Sequence, residues 1–238
     1  PTLKRTKDYR LIGTDRVRRK DSLPKSTGAQ VYTQDVQEAD LLVAMVAHSP
    51  RFGGKLARFD PSDARKVKGV VDVFAIETGV AVVAQSTFAA RKGREALRVE
   101  WDDSEAEKRS TPDLIRYYHE LAAGHGDVNP RDFAMKGEEP ETPFSGDVVE
   151  FAFDFPYLAH APMETLDCVA TVDGRNVSIT SGSHIPIIDQ VQAALTARTI
   201  PGRVDLKVIP AGGSFGRRGV MSADYVVECV RIAKRTNG

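Results

Sequence analysis

The sequence has few cysteines, no excess of charge of either sign and no long apolar run. Cys168 and Cys229 are its two cysteines and form no Cys-x-x-Cys pair, so the 238-residue chain cannot itself hold a cysteine-ligated iron–sulfur cluster or zinc ribbon. Lys+Arg and Asp+Glu both total 33, which argues against a nucleic-acid-binding protein. No stretch approaches the roughly 18 apolar residues of a membrane span.

The composition is that of an ordinary globular protein. With 41% hydrophobic and 28% charged residues, the chain can build a substantial core as one large or two small domains. Both cysteines lie in apolar patterns typical of buried thiols, and a disulfide between them stays open. No signal peptide is visible, and the chain begins with Pro1 and ends like a helix C-cap at 235–238, which predicts a processed product or an excised fragment.

Several local patterns predict secondary structure in the second half of the chain. A segment rich in Gly, Pro and acidic residues, 124–146, is the best candidate for a domain boundary. Alternating apolar residues predict a strand at Val148–Phe155, and Asp173-Gly174 predicts the turn of a hairpin. An amphipathic helix is predicted at Ile188–Arg198. Its predicted apolar face consists of Val191, Ala194 and Leu195. Helices and strands mix without strict alternation, which favours an α+β fold.

A glycine-dense segment, Ala211–Arg218, is the main candidate site and is called the glycine loop below. It lies between a β-branched run and a helical pattern at Met221–Lys234, so it predicts a strand, a tight loop and a helix. Arg217 and Arg218 are predicted at or just before the first helical turn, where cations are unfavourable. A bound anion such as a phosphate would explain them, and a sharp connection with two solvated arginines is the alternative.

Other known glycine motifs do not fit this loop. Its Gly-x-Ser-x-Gly pattern around Ser214 resembles the nucleophile elbow of α/β-hydrolases, but in that fold the histidine follows the serine. All five histidines precede Ser214, which excludes that fold for the chain as given. Ala211 breaks the dinucleotide pattern Gly-x-Gly-x-x-Gly, and no Gly-Lys-Ser/Thr follows for a P-loop.

One pair of residues has the spacing of helical metal ligands. His160 and Glu164 are four positions apart, but Pro162 lies between them and disfavours a regular helix. Both are better explained as hydrogen-bonded turn residues than as ligands, and no metal site is predicted.

Three motifs in this order resemble the molybdopterin-binding subunits of the xanthine dehydrogenase family. They are Tyr157–Glu164 (Tyr-Leu-Ala-His-Ala-Pro-Met-Glu), Ser181–Pro186 (Ser-Gly-Ser-His-Ile-Pro) and the glycine loop with its Phe-Gly-Arg-Arg. The branch that they resemble most is that of the large (beta) subunits of isoquinoline 1-oxidoreductases. Weaker features of the first half, such as Lys25–Gly28 and His48–Pro50, resemble the α/β-hammerhead domain of these enzymes.

The resemblance implies an α+β fold in two parts. A lead-in at 1–24 precedes an α/β-hammerhead-like domain at 25–135, and 136–238 form the truncated N-terminal part of the molybdopterin-binding domain. It also implies an oxidoreductase that uses water to hydroxylate N-heterocycles or to oxidise aldehydes. Electrons would pass to a small iron–sulfur partner subunit. A periplasmic location is implied, and a cytoplasmic one stays open.

The resemblance also implies a set of cofactor-binding residues. They are Gly212, Gly213, Ser214, Phe215, Gly216, Arg217 and His184. Ser214 stands where a third glycine is usual and adds a side chain where the backbone should pass closely. His184 replaces a common Gln that hydrogen-bonds a molybdenum ligand, and its charge varies with pH. These departures motivate an alternative, a non-catalytic binding or assembly domain with the family fold.

No catalytic residue is assigned within the chain. The family's catalytic glutamate and most of its pterin-binding loops lie downstream of the segment that matches this sequence. We therefore expect the 238-residue chain alone neither to hold molybdopterin stably nor to turn over.

Overall fold

The computed structural model describes residues 2–126 and 146–236, which contain short helices and three small sheets. The helices are α1 (Ser22–Thr27), α2 (Thr87–Glu95), α3 (Thr111–Ala122), α4 (Pro186–Ala197) and α5 (Asp224–Thr236). The strands are β1 (Val43–His48), β2 (Lys55–Asp60), β3 (Val70–Ile76), β4 (Gly79–Ala84), β5 (Arg98–Asp102), β6 (Val169–Asp173), β7 (Asn176–Ser181) and β8 (Val204–Val208). This mixture agrees with the predicted α+β class.

The chain divides into two compact units. The first takes in the residues up to His48, Phe59–Arg98 and the residues from His160 onward. The second consists of Ser49–Arg58 and Val99–Ala159. The motifs at 181–186 and 211–218 belong to the first unit, as do residues His160–Glu164 of the first motif, whereas its residues Tyr157–Ala159 belong to the second.

The first unit contains two three-stranded sheets. In one, β4 lies between β1 and β3 and pairs antiparallel with both, and all its residues are buried. In the other, β7 lies between β6 and β8, antiparallel to β6 and parallel to β8. The hairpin predicted between β6 and β7 is confirmed, but Asp173 pairs with Asn176, so its turn residues are Gly174 and Arg175 rather than Asp173-Gly174. Gly174 takes the left-handed conformation, with φ of 56°.

Helices α4 and α5 cover the sheet formed by β6, β7 and β8. Val226 and Val230 of α5 pack in one buried cluster with Val177 and Ile179 of β7. The buried face of α4 consists of Asp189, Ala193, Ala194 and Ala197. The predicted apolar face was therefore wrong in part, because Leu195 is 66% and Val191 37% exposed. Small alanines let the α4 backbone approach the cluster more closely than Val or Leu would.

The strand predicted at Val148–Phe155 is not formed. The segment has no regular secondary structure and no ladder partner among the described residues, and its apolar side chains are exposed, Phe155 by 83%. It contacts α3 instead, where His119 Nε2 lies 2.9 Å from Asp154 Oδ1. Alternation predicts a half-buried surface, but a strand also needs a neighbour to complete its backbone hydrogen bonds.

Three further observations concern predictions made from local pattern. Helix α5 begins at Asp224 rather than Met221, so the arginines of the glycine loop precede it by more than a turn. Cys168 and Cys229 are free and half-buried, and the Cys229 thiol donates a hydrogen bond to the Cys168 carbonyl (3.1 Å). The boundary predicted at 124–146 falls almost wholly outside the described residues.

No helix in the described part of the chain has both the length and the apolar character needed to cross a membrane.

Candidate functional site

The three motif segments meet at the glycine loop. Gly212 N–H donates to Glu164 Oε2 (2.7 Å), and Glu164 N–H donates back to the Gly212 carbonyl (3.1 Å). The close approach of these segments requires glycine at two positions, Gly212 and Gly182. A Cβ on Gly212 would lie 2.5 Å from Glu164 Cβ, and one on Gly182 would lie 2.8 Å from Ala211 Cβ. The sequence motifs, which are up to about fifty residues apart, therefore form one structural cluster.

Arg218 is buried at the centre of this cluster, with 1% of its surface exposed. Its Nη2 donates to Glu164 Oε2 (3.0 Å) and to the carbonyls of Glu164 and Thr165 (both 3.1 Å). Its Nε donates to the Gly213 carbonyl (3.0 Å), and its Nη1 lies 3.4 Å from Asp167 Oδ1. All three guanidinium nitrogens are therefore used within the protein, and the prediction that Arg218 is solvated or binds an external anion is wrong.

Arg217 is also paired within the protein. Its Nη1 and Nη2 donate to the two carboxylate oxygens of Asp224 (3.0 and 2.5 Å), the first residue of α5. This pair raises the pKa of Arg217. The Asp224 carboxylate therefore lies at the helix start, where the sequence predicted that a bound anion could lie.

Glu164 connects the cluster to the N-terminal part of the chain. It is 7% exposed, and its Oε1 accepts a hydrogen bond from Thr33 N–H (2.9 Å). It therefore serves as a hydrogen-bonded structural residue, as the sequence suggested, whereas His160 is exposed. Among the described residues no group of three His, Cys, Asp or Glu side chains is arranged to hold a metal ion.

A second carboxylate, Asp167, shares the one guanidinium. Burial and then the Glu164 charge raise the pKa of Asp167 to about 6, and the Arg218 charge opposes this rise. Asp167 Oδ2 has no hydrogen-bond partner among the described residues. The cluster therefore holds two carboxyl groups against a single cation, which favours the protonated form of Asp167.

The glycine loop has a left-handed backbone at several positions. Gly213 and Gly216 have φ of 109° and 93°, and Phe215 has φ of 53°. Phe215 presents its ring outward, 76% exposed. Ser214 is turned inward instead: it is 7% exposed, and its Oγ accepts a hydrogen bond from Arg218 N–H (3.0 Å). The Ser214 side chain therefore supports the turn from its inner side.

The backbone N–H groups of Gly213, Ser214, Phe215 and Gly216 find no acceptor within residues 2–126 and 146–236. Successive unpaired N–H groups in a turn that includes left-handed residues make a concave site for an anion. Phe215 and Gly216 are exposed, so water can reach their N–H groups, and an anion that binds there would replace that water.

His184, in the second motif, lies next to the residue that follows the loop. Its side chain is exposed, and its Cβ is 3.7 Å from the position that a Cβ on Gly219 would take. The preceding Ser183 is buried and donates a hydrogen bond to Asp189 in the first turn of α4. Burial raises the pKa of Asp189. The structure therefore brings His184 to the edge of the glycine loop on a segment that α4 anchors.

An open depression of about 510 Å³ borders the loop at Ala211–Gly213. It is lined by Lys25, Tyr32, Gln34, Asp35, Met163, Glu164, Ala211, Gly212 and Gly213. The roles of Arg218 and Thr33 could not be predicted from the sequence. Arg218 belonged to a recognised motif, but Thr33 stands 131 residues from its partner Glu164, and nothing in the local pattern signals it.

Comparison with known proteins agrees with the motifs. Residues 125–238 match the family model of the molybdopterin cofactor-binding domain. The isoquinoline 1-oxidoreductase subunit beta of Brevundimonas diminuta is 30% identical over 96% of this chain and 30% of that protein. A membrane-bound aldehyde dehydrogenase (pyrroloquinoline-quinone) of Gluconacetobacter polyoxogenes is 25% identical over 99% of this chain and 31% of that protein.

The fold is similar to that of a solved enzyme. The crystal structure of quinoline 2-oxidoreductase from Pseudomonas putida 86 matches 93% of this chain and 33% of its own with a TM-score of 0.67, at 18% identity. The chain spans about a third or less of the length of the proteins that it matches. Its motifs, the cofactor-binding domain model and these relatives agree: the chain belongs to the molybdopterin-binding subunits of the xanthine dehydrogenase family, with isoquinoline 1-oxidoreductase beta among its relatives.

Proposed function

We propose that the chain is part of the large subunit of a molybdenum-cofactor oxidoreductase. It would use water to hydroxylate N-heterocycles or oxidise aldehydes and pass the electrons to an iron–sulfur partner. The observation that carries this proposal is the run of unpaired N–H groups at residues 213–216. The names of the two relatives support the substrate classes, since one acts on isoquinoline, an N-heterocycle, and the other on an aldehyde.

The residues of the loop fit an oxygen-rich, anionic cofactor. Gly213 and Gly216 carry no side chain that could keep such a group from the backbone, and their N–H groups are free to donate. When bound, molybdopterin supplies the oxygen transfer and accepts two electrons. The N–H groups of 213–216 would hold its anionic groups, and the exposed ring of Phe215 would cover one side of it.

The neighbouring residues have supporting parts in this proposal. His184 would stand in the place of the family's Gln and could donate a hydrogen bond to the bound cofactor. Arg217 would lie just behind the loop, and its ion pair with Asp224 fastens the loop to the start of α5. We also propose that 25–135 form a hammerhead-like domain after the lead-in 1–24, and that 136–238 begin the cofactor domain.

The test uses the full-length protein, purified from its own host. We expect close to one molybdenum and one pterin per chain, and oxidation of isoquinoline or of an aldehyde with an artificial electron acceptor. Pyrroloquinoline quinone, the cofactor in the name of one relative, is measured in the same sample. Bound quinone without molybdenum would overturn the proposal, and molybdopterin without turnover of either substrate class would favour the non-catalytic alternative.

The 238-residue chain by itself is expected to bind no molybdenum, because the glycine loop provides only part of a binding site. Elemental analysis of the isolated chain, after reconstitution with the cofactor, checks this. Stoichiometric molybdenum on the isolated chain would contradict it.

A further inference from the structure

The glycine loop needs support from outside itself. Gly213, Phe215 and Gly216 have left-handed backbone angles, and the loop forms no part of a helix or sheet. Glycines leave the unfolded chain many alternatives, and fixing each residue costs about 1–2 kcal/mol of conformational entropy. A site made of successive backbone N–H groups functions only if these alternatives are suppressed.

One carboxylate oxygen links the two ends of the loop. Glu164 Oε2 accepts from Gly212 N–H at 2.7 Å and from Arg218 Nη2 at 3.0 Å. Arg218 in turn donates through Nε to the Gly213 carbonyl at 3.0 Å. The N–H of residue 212 and the carbonyl of residue 213 are therefore both held by one buried ion pair, directly before the unpaired N–H groups.

The charges are not explained by stability alone. The Glu164 side chain is 6% and the Arg218 side chain 0% exposed, so both pay a large desolvation penalty. A buried ion pair of this kind is often no more stabilising than apolar side chains of the same volume. An apolar pair cannot form directional hydrogen bonds to particular peptide groups. In this protein the ion pair forms such bonds to Gly212 N–H and to the Gly213 carbonyl of the glycine loop.

We propose that Glu164 and Arg218 are positioning residues of the cofactor site, which act by holding the Gly212–Gly213 backbone so that the N–H groups of 213–216 stay in their binding arrangement. This inference rests on the proposed function for the identity of the ligand. The effect on the loop itself does not depend on it. Thr33, which donates to the other oxygen of Glu164, fixes the orientation of the carboxylate.

The test uses the full-length protein and its Glu164→Gln and Arg218→Lys variants. Hydrogen exchange of the peptide that covers the glycine loop is followed by mass spectrometry, together with molybdenum per chain. The hydrogen-bonded amides of this peptide are those of Gly212, Arg217 and Arg218, and their exchange is expected to rise roughly 10- to 100-fold, the loss expected for a hydrogen bond to a charged group. Molybdenum content falls, and per remaining molybdenum kcat falls while KM is unchanged.

Glu228→Gln is the matched control. Glu228 also accepts two hydrogen bonds, from Thr78 and His48, but lies outside the loop. It should leave the loop peptide and the molybdenum content unchanged. Gly212→Ala provides a second perturbation that keeps both charges, since its methyl group would be forced against Glu164 Cβ. It should increase the exchange of the same peptide.

Unchanged loop exchange in all three loop variants would overturn the positioning role. Increased exchange with full molybdenum content and unchanged kcat would overturn it too, because the loop would then be mobile without consequence. A wild-type protein that contains no molybdopterin would instead refute the proposed function, and the exchange result would still decide whether the ion pair holds the loop.

Discussion

Asp167→Asn provides a test of the electrostatics of the buried cluster. The pKa of Asp167 is raised from 3.8 to about 6, so between these pH values the folded protein holds a proton that the unfolded chain releases. The contribution of this group to the free energy of unfolding is therefore full below pH 4 and is lost as the pH rises through 6. A shift of about two units corresponds to roughly 3 kcal/mol.

Asparagine cannot ionise, so the variant lacks this loss. Urea unfolding of the wild type and Asp167→Asn is compared from pH 4 to pH 7.5. The stability of the variant relative to the wild type should increase by about 3 kcal/mol across this range. Asp60→Asn is the control, because its hydrogen bonds to Ser62 lower the pKa of Asp60 and place its titration at or below the acid end of the range.

A stability difference for Asp167→Asn that does not change with pH would refute the reasoning. It would mean that Arg218 neutralises both carboxylates, or that solvent reaches Asp167 more freely than its side-chain exposure of 19% indicates. A difference that moves in the opposite direction would show that the pKa of Asp167 is lowered rather than raised.

The remaining predictions concern the ion pairs and the core. Arg218→Met leaves Glu164 as an unpaired buried charge and should lower the free energy of unfolding by roughly 3–5 kcal/mol in urea titrations, a result that a loss under 1 kcal/mol would contradict. The Glu228 carboxylate raises the pKa of His48, so this pair contributes stability below about pH 6.5 that is lost as the pH rises through the raised pKa. Glu228→Gln should lower the pKa of His48 in an NMR titration, with an effect on stability under about 1 kcal/mol because His48 is half-exposed. Val230→Ala in the core should cost about 2 kcal/mol and Leu195→Ala on the exposed face of α4 less than about 0.5 kcal/mol, and thermal unfolding that ranks them in reverse would contradict the assigned helix face.

Local patterns predicted the elements around the site well. The β6–β7 hairpin, the strand β8, the glycine loop and helix α5 all follow from residue type and short-range spacing. The errors arose where tertiary contacts decide. Val148–Phe155 alternates like a strand but has no partner to pair with in the described chain, and α4 buries its alanines rather than Val191 and Leu195 because small residues allow close packing.

The site could be predicted as a set of residues but not as an arrangement. Motif resemblance identified the glycine loop, His184 and the Tyr157–Glu164 segment. It did not reveal that Arg218 and Glu164, 54 residues apart, form the ion pair that joins them. The sequence instead left two explanations for the arginines, an external anion or solvation, since the helix was predicted to start too early and no local pattern shows which carboxylate faces which guanidinium.

The molybdenum content of the full-length Gly213→Ala variant tests the central claim most directly. A side chain at a φ of 109° cannot be accommodated without moving the loop, and the N–H groups of 213–216 would lose their arrangement. The wild type is expected to contain close to one molybdenum per chain and the variant less than about one tenth of that. Gly174→Ala, also at a left-handed glycine but in the β6–β7 turn, should retain the metal. Full molybdenum content in Gly213→Ala would contradict the claim that this loop holds the cofactor.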